Sequence, residues 1–231
     1  MDSTGATILD EISFEPEIGR LLKDVRERGP KRVVEEVEGL IAAATGIGAP
    51  KALYRPAFVE QKGDDRVIIA GVELRSRVLR VNLDNAHRVF AYAATCGREL
   101  DEWAKSFDDL LQRYWADKIN EMALRAAIRT LREHLVDHYR LGRISTMSPG
   151  SLEDWPIEEQ RPLFGVLGDT ETAIGVRLTD SFLMIPTKSV SGIVFPTEVR
   201  FESCQLCPRQ NCPGRRAEYD KDLYDRKYRK K

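Results

Sequence analysis

Apolar positions recur every three or four residues in two long parts of the chain, residues 14–47 and residues 98–140. In the first part the pattern is carried by Ile18, Leu21, Leu22 and Val25, and it resumes after Gly29 and Pro30 with VVEEVEGLIAAA. In the second part the apolar stripe consists of Leu111, Trp115, Ile119, Met122, Ala126, Leu131 and Leu135. This spacing places apolar side chains on one face of a helix, so both parts are predicted to be helical and the stripe to face a core.

Runs rich in valine, isoleucine and leucine predict strands on either side of the second helical part. Residues 52–83 contain three such runs, ALYRPAFVE, DRVIIAGVEL and RVLRVNL, and residues 88–95 form a fourth, RVFAYAAT. Further strands are predicted at residues 173–200. Residues 141–162 are dense in Gly, Ser and Pro, which predicts a long loop followed by a short helix with Asp154 as its N-cap.

The composition is that of a globular protein expected in the cytoplasm. The chain has 231 residues, 42% of them hydrophobic, which suits one large domain or one domain with a small appendage. Its first residues carry no signal-peptide pattern, and no run of about 18 apolar residues predicts a membrane span. The net charge is −1 and the charged tail mixes acidic with basic residues, which argues against a nucleic-acid partner and predicts a solvated tail.

Three of the four cysteines, Cys204, Cys207 and Cys212, follow a C-x2-C-x4-C spacing near the C-terminus. In a reducing compartment, clustered cysteines are more often metal ligands or redox groups than structural disulfides. A tetrahedral zinc site needs a fourth ligand, and Cys96, at the end of a predicted strand, is a candidate for it; the alternative is that Cys96 is a small buried side chain. A [4Fe–4S] cluster, a structural zinc ion and free or disulfide-forming thiols all stay open on spacing alone.

The segment of residues 143–198 carries several short motifs in a fixed order. They are SPGSLEDWPIEEQRPLF, with its PG, DWP and EEQ elements, and IGVRLTDSFLMIPTKSVSGIVF. Together they resemble the activation-domain family of vitamin B12-dependent methionine synthase, and the resemblance extends more weakly upstream, to cover roughly residues 50–200. It implies an α/β (α+β) fold, a twisted antiparallel sheet with surrounding helices. The implied organisation is an N-terminal helical segment at residues 1–49, a core at 50–200 and a cysteine-rich, charged tail at 201–231.

The resemblance also implies a function. Members of this family bind S-adenosylmethionine and dock on a cobalamin-carrying domain while its oxidised cobalt is reduced and remethylated. The chain is therefore expected to activate a corrinoid-binding protein or domain, together with a redox donor protein. No Ser–His–Asp or metal–histidine arrangement stands out, so no acid–base catalytic residues are predicted. A methyltransferase proper is disfavoured because the G-x-G-x-x-G fingerprint is missing.

The binding residues implied by the resemblance are Arg143, Pro149 and Gly150, with Glu121 on the long helix as an acidic contact. The guanidinium of Arg143 has the planar fork of donors that suits a carboxylate, and Gly150 would let backbone N–H groups approach a ligand. The alternative is a capping loop in which Arg143 pairs with Asp154 or Glu158.

Two further features gain meaning from the resemblance. Cobalt reduction needs one low-potential electron, which favours an iron–sulfur cluster on Cys204, Cys207 and Cys212 as its relay. The alternative is a zinc-stapled docking module that binds S-adenosylmethionine without redox activity. In the KSVSG block, Lys188, Ser189 and Ser191 either line a pocket or docking face, or are strand residues with their polar side in solvent.

Overall fold

A computed structural model describes residues 5–14, residue 16 and residues 31–229. The helical prediction for Ile18, Leu21, Leu22 and Val25 lies outside these described residues. No helix within the described ranges combines the length and the apolar character that crossing a bilayer requires.

The centre of the molecule is a seven-stranded antiparallel sheet. In spatial order its strands run β4-β3-β2-β5-β9-β6, and β1 pairs with the first part of β2. A separate two-stranded hairpin is formed by β7 and β8. The strands are β1 (Thr7–Leu9), β2 (Lys51–Lys62), β3 (Arg66–Ile69), β4 (Val72–Arg75), β5 (Arg88–Thr95), β6 (Ile144–Met147), β7 (Arg177–Leu178), β8 (Met184–Ile185) and β9 (Ser189–Pro196).

Helices cover both faces of the sheet. They are α1 (Lys31–Ile47), α2 (Arg77–Asn82), α3 (Arg98–Lys105), α4 (Leu110–Tyr139), α5 (Gln160–Leu167) and α6 (Thr170–Ile174). The central strand β5 is buried on both faces because its apolar side chains alternate between two cores. One core includes Ala91 and Trp155, and the other packs Phe90 and Tyr92 against Leu131 of α4. This antiparallel sheet with surrounding helices confirms the expected fold class.

The predicted helix at residues 98–140 is confirmed but divided. Helix α3 ends at Lys105, with Ser106 as its C-cap. Helix α4 begins after its N-cap Asp109, whose Oδ1 accepts hydrogen bonds from the backbone N–H groups of Leu111 and Gln112 at 2.8 and 2.9 Å. An N-cap satisfies amide groups that have no partner inside the helix, so the break is locally encoded.

Two local predictions between residues 77 and 154 are wrong. The run RVLRVNL forms α2 rather than a strand, because Ser76 Oγ accepts from Leu79 N at 2.9 Å and starts a helix there. Asp154 does not cap the helix that follows it; its carboxylate accepts from Ser76 Oγ and, at 2.9 Å, from Val78 N, and so supports the start of α2 instead.

The chain ends also depart from expectation. Residues Thr7–Leu9 form a strand of the sheet, so the N-terminal segment is not wholly helical. The run ISTM, inside the predicted loop, is the edge strand β6. In the charged tail, Tyr228 is fully buried, and its hydroxyl donates to Asn82 Oδ1 at 3.0 Å, so the tail is packed on the core and is not merely solvated.

Candidate functional site

A cavity of about 120 Å³ lies between α4 and the sheet, next to the loop that follows β6. Its walls come from α4, from strands β5, β6 and β9, from the loop after β6 and from the C-terminal segment. The lining residues are Tyr92, Ile128, Leu131, Arg132, Thr146, Ser148, Ser151, Val190, Val194, Ser203 and Arg216. Apolar side chains of the second core form the floor and polar side chains the rim, a composition typical of a small-molecule site.

Gly192, in the KSVSG block, has no side chain, and this lets Tyr92 and Ser148, which line the cavity, pack close to β9. Gly192 of β9 pairs directly with Tyr92 of β5. A Cβ atom at residue 192 would overlap the carbonyl oxygen of Met147 and would lie 2.7 Å from Ser148 Oγ and 2.9 Å from Tyr92 Cε1. Any side chain there would therefore displace the groups that border the cavity.

Polar groups of the cavity are poorly satisfied by the protein itself. The hydroxyl oxygen of Thr146 is buried and has no hydrogen-bond partner among the described residues. Among the described residues, the hydroxyl of Tyr92 has one hydrogen-bond contact, a long one of 3.5 Å with Ser148 Oγ. Burial raises the pKa of Tyr92, and this outweighs the hydrogen bond to Ser148 and the nearby charges of Arg216 and Arg132, which lower it. Buried polar groups are normally hydrogen-bonded, so these are the groups that a ligand would complete.

The charge of the cavity is positive. Arg132 of α4 and Arg216 of the C-terminal segment both line it, and both lie close enough to Tyr92 to act on its hydroxyl. No acidic side chain of the described ranges is part of the lining. A small, partly apolar space with two guanidinium groups suits a ligand that carries a carboxylate or a similar anion.

Of the predicted binding residues, Pro149 and Gly150 shape the rim without lining the cavity. Gly150 adopts φ +78°, and its N–H donates to Trp155 O at 2.7 Å. That amide is therefore occupied inside the loop and does not face a ligand. The neighbouring Ser148 and Ser151 are the residues of this loop that reach the cavity.

Arg143 and Glu121 also lie outside the cavity lining. Arg143 precedes β6 at the end away from the loop, where its Nη1 donates to the carbonyl oxygen of Glu198 at 2.5 Å. Neither Asp154 nor Glu158 pairs with it within the described residues. Glu121, on α4, contacts Arg125 at 2.5 Å and Lys118 at 3.6 Å. Burial raises the pKa of Glu121, but these neighbours lower it below the usual value, so its carboxylate is committed to surface ion pairs.

The three C-terminal cysteines lie on one loop that the side chain of Arg215 organises. Its guanidinium donates to the carbonyl oxygens of Cys204 at 3.2 Å and of Cys207 at 3.3 Å, and its backbone N–H donates to Cys212 O at 3.1 Å. We call this loop, residues 203–217, the cysteine loop. All three thiols are half-buried and free.

Cys96 has a different environment. It is fully buried at the end of β5, in a third apolar core with Leu100 of α3 and Ile119 of α4. Burial raises the pKa of its thiol to about 12. Across the described part of the chain, no three His, Cys, Asp or Glu side chains are grouped so that they could hold a metal ion. The thiol chemistry of the cysteine loop suits a metal, but in this conformation its cysteines do not converge, and Cys96 has the surroundings of a core residue.

The polar side chains of the KSVSG block make internal contacts. Lys188 Nζ forms an ion pair with Asp117 of α4 at 2.9 Å, and Ser189 Oγ donates to Thr95 Oγ1 at 2.9 Å. Ser191 is buried on the face of the sheet opposite the cavity, where its hydroxyl donates to Gln160 Oε1 at 3.2 Å. These residues hold β9 in place. The residue of the block that lines the cavity is Val190, and Gly192 lies against Tyr92 and Ser148, which also line it.

The sequence did not predict the polar groups that give the cavity its chemistry, those of Tyr92, Arg132, Thr146 and Arg216. The alternation of β9 gave a usable signal for its border, since Val190, Gly192 and Val194 share one strand face and a glycine within a strand often marks the close approach of another backbone. The arginines had no such signal, because they come from α4 and from the tail and meet only in the folded chain.

Comparisons with known proteins are consistent with this geometry. Residues 149–207 match the family profile described as "Vitamin B12 dependent methionine synthase, activation domain". Among solved structures, the fold is similar to one titled "Crystal Structure of the MetH Reactivation Domain bound to AdoHcy", with a TM-score of 0.58 and 15% sequence identity over 86% of this chain and 81% of that chain. No curated protein matches the chain. The resemblance inferred from the motifs is confirmed, and the structural likeness shows a common fold.

Proposed function

We propose that this protein takes part in the reactivation of a corrinoid protein and binds S-adenosylmethionine or its product S-adenosylhomocysteine in the cavity beneath Tyr92. One observation carries the proposal. The segment that matches the activation-domain profile, residues 149–207, supplies four of the eleven residues that line the cavity, Ser151, Val190, Val194 and Ser203. The signature of the family and the candidate ligand site therefore overlap.

The chemistry of the cavity agrees with the amino-acid end of such a ligand. Two guanidinium groups, of Arg132 and Arg216, suit its carboxylate, and the unpartnered hydroxyl of Thr146 can accept a hydrogen bond from its ammonium group. The cavity of about 120 Å³ is smaller than the roughly 300 Å³ at which pockets for complete small-molecule ligands begin. We therefore assign only the methionine part of the ligand to it.

In the proposed reaction, the corrinoid of the partner is the substrate. Cob(II)alamin gains one electron to become cob(I)alamin, which takes the methyl group from the sulfonium, so that a Co–C bond forms, the C–S bond breaks and S-adenosylhomocysteine is left. The contribution of this chain is to bind and orient the methyl donor against the partner. The electron comes from a separate redox donor.

We further propose that Cys204, Cys207 and Cys212 of the cysteine loop bind an iron–sulfur cluster. Its support is the C-x2-C-x4-C spacing and the backbone N–H of Arg216, which donates to Cys204 Sγ at 3.4 Å, a type of contact that also tunes cluster sulfurs. The competing assignment is a zinc ion bound to the same thiols. It would stabilise the loop of a docking module that has no redox activity. The thiols do not converge in this conformation of the described residues, so the proposed reaction takes its electron from the separate donor and not from the cysteine loop.

The test of the function uses the full-length chain and isothermal titration with S-adenosylhomocysteine, followed by an assay on a corrinoid methionine synthase that lacks its own activation domain. We expect binding, and conversion of cob(II)alamin to methylcobalamin that needs this chain, S-adenosylmethionine and a chemical reductant together. The proposal fails if the ligand does not bind, or if methylation proceeds equally without the chain.

Metal analysis after anaerobic purification shows whether the cysteine loop holds an iron–sulfur cluster, a zinc ion or no metal. About stoichiometric iron with a broad thiolate–iron absorbance, both lost in Cys204→Ala, would support the cluster. Zinc without a chromophore would support the docking module, and neither metal would leave the loop as a set of free thiols.

A further inference from the structure

Arg216 differs from the rest of the cavity wall in its origin. It lies beyond the segment that matches the family profile, which ends at residue 207, and it is carried by the cysteine loop. Its position at the cavity is therefore a property of this chain's own C-terminal segment. Arg132, on the opposite wall, belongs to α4.

Two contacts hold Arg216 in place. Its Nε forms an ion pair with Glu202 Oε2 at 3.1 Å, and its backbone N–H donates to Cys204 Sγ at 3.4 Å. Glu202 is 9% exposed and is itself fixed, since its carboxylate also pairs with Arg200 at 2.7 Å and its backbone N–H donates to Gln205 Oε1 at 2.9 Å. A buried carboxylate held in this way orients the guanidinium at the mouth of the cavity.

The guanidinium of Arg216 keeps donors for a ligand. The ion pair uses Nε, and its two terminal nitrogens form no hydrogen bond within the described residues. These are the donors that bind a carboxylate in bidentate fashion. Ser203 of the cysteine loop also contacts the loop that follows β6, since its hydroxyl lies 3.3 Å from Ser151 Oγ. The cysteine loop therefore closes one side of the cavity.

We propose that Arg216 is a ligand-binding residue that, together with Arg132, takes the carboxylate of the ligand, and that the sulfur of Cys204 and the carboxylate of Glu202 position it. This inference rests on the proposed function, because it concerns the ligand of the same cavity. Its consequence is a coupling between the ligand and the cysteine loop. A change at Cys204 that moves Arg216 should alter ligand affinity, and a bound ligand that fixes Arg216 should in turn hinder reactions of Cys204.

The first test compares two ligands on two variants of the full-length protein by isothermal titration. S-Adenosylhomocysteine carries the carboxylate, whereas 5′-methylthioadenosine shares the adenosine and thioether but lacks the amino-acid end. Arg216→Gln should weaken S-adenosylhomocysteine binding roughly 10- to 100-fold, the range for a lost hydrogen bond to a charged group. Binding of methylthioadenosine should change less than twofold.

The matched control is Arg209→Gln, on the same loop but outside the cavity lining. It should leave both affinities unchanged. An equal loss for both ligands in Arg216→Gln would overturn the assignment, because the carboxylate would then not be the group that Arg216 contacts. If the wild-type protein binds neither ligand, the proposed function falls as well. Unchanged affinity in Arg216→Gln, with tight wild-type binding, overturns this inference alone.

A second measurement tests the coupling. Alkylation by iodoacetamide is followed by mass spectrometry at Cys204 and Cys212 with and without saturating S-adenosylhomocysteine. Ligand should slow alkylation of Cys204 severalfold and leave Cys212 unchanged, and Arg216→Gln should remove the protection. Equal effects at the two cysteines, or none at either, would overturn the coupling.

Discussion

Gly150 and Gly192 belong to the same set of signature motifs, and a side chain fits at neither, but for different reasons. Gly150 needs glycine for its backbone, which adopts φ +78° so that its N–H can reach Trp155 O at 2.7 Å. Its Cβ atom would lie 2.7 Å from Ile157 Cδ1, the far end of a side chain that can move. Gly192 lies in an extended strand, where any residue type is allowed. What excludes a side chain there is the backbone carbonyl of Met147 and the ring of Tyr92.

The difference separates a glycine that shapes a loop from one that lets the groups bordering the cavity pack closely. Gly150 sets the path of the chain between β6 and the short helix beyond, and its amide is used within the loop. Gly192 lets the carbonyl of Met147 and two groups that line the cavity, Tyr92 and Ser148, pack close to β9. Conformation alone would mark Gly150 as the functional residue, whereas the surrounding atoms mark Gly192. Variants at the two positions should therefore separate stability from ligand binding.

The largest effect is expected for Gly192→Ala. The new methyl group meets a backbone oxygen that cannot move without distorting β6, so the free energy of unfolding should fall by about 3 kcal/mol, the upper part of the range for overpacking. The same methyl group displaces Ser148 and Tyr92, which line the cavity, so S-adenosylhomocysteine binding should be lost. Urea unfolding and isothermal titration measure the two effects. Wild-type affinity in a folded Gly192→Ala protein would show that the ligand binds elsewhere.

Gly150→Ala should separate the two properties. The positive φ costs about 1–2 kcal/mol for a residue with a Cβ atom, and Ile157 can absorb the remaining contact. Ligand affinity should stay within twofold, because the amide of Gly150 serves Trp155. A variant with normal stability but no binding would mean that the backbone of Gly150 touches the ligand after all.

The fold was accessible from the sequence where patterns are local. The apolar stripe of residues 111–135 predicted a helix, and the apolar run of residues 88–95 predicted a buried strand. The ordered motifs implied the antiparallel sheet. The run RVLRVNL was misassigned because its branched residues favour a strand, whereas the cap formed by Ser76 and supported by Asp154, 78 residues away, starts a helix. That contact is tertiary, and no local pattern contains it.

Less of the candidate site could be predicted from the sequence, because its residues also meet only through tertiary contacts. Arg143 had the right chemistry for a carboxylate, but β6 places it at the end of the strand away from the cavity, with Glu198. Arg132 and Arg216 have that chemistry at the cavity itself, and they are 84 residues apart in the chain. Residue type can suggest the chemistry of a site. The pairing of the strands and the path of the tail decide which arginine lies at the cavity.

Thr146→Val is expected to raise the stability of the protein, whereas the two glycine variants lower it. Valine has nearly the same shape but removes a buried hydroxyl that has no partner within the described residues, so the free energy of unfolding should rise by about 1 kcal/mol. Ligand affinity should fall, since the acceptor for the ammonium group is lost. Thr146→Ser, which keeps the hydroxyl, is the control for titration. Lower stability in the valine variant would show that the hydroxyl already has a partner, such as an ordered water.

The smallest effect, and one that appears only at alkaline pH, concerns the ring opposite Gly192. Burial raises the pKa of Tyr92 above the usual value of about 10, so the unfolded chain loses this proton at lower pH than the folded one. The contribution of the buried neutral phenol is complete below about pH 10 and is lost as the pH rises through the raised pKa. Stability of the wild type should therefore fall more steeply above that pH than stability of Tyr92→Phe, as measured by urea unfolding. Tyr114→Phe, at a tyrosine that is 51% exposed, should follow the wild-type curve. Parallel curves for wild type and Tyr92→Phe would mean that water reaches the phenol in the folded protein and that the cavity beneath it is open.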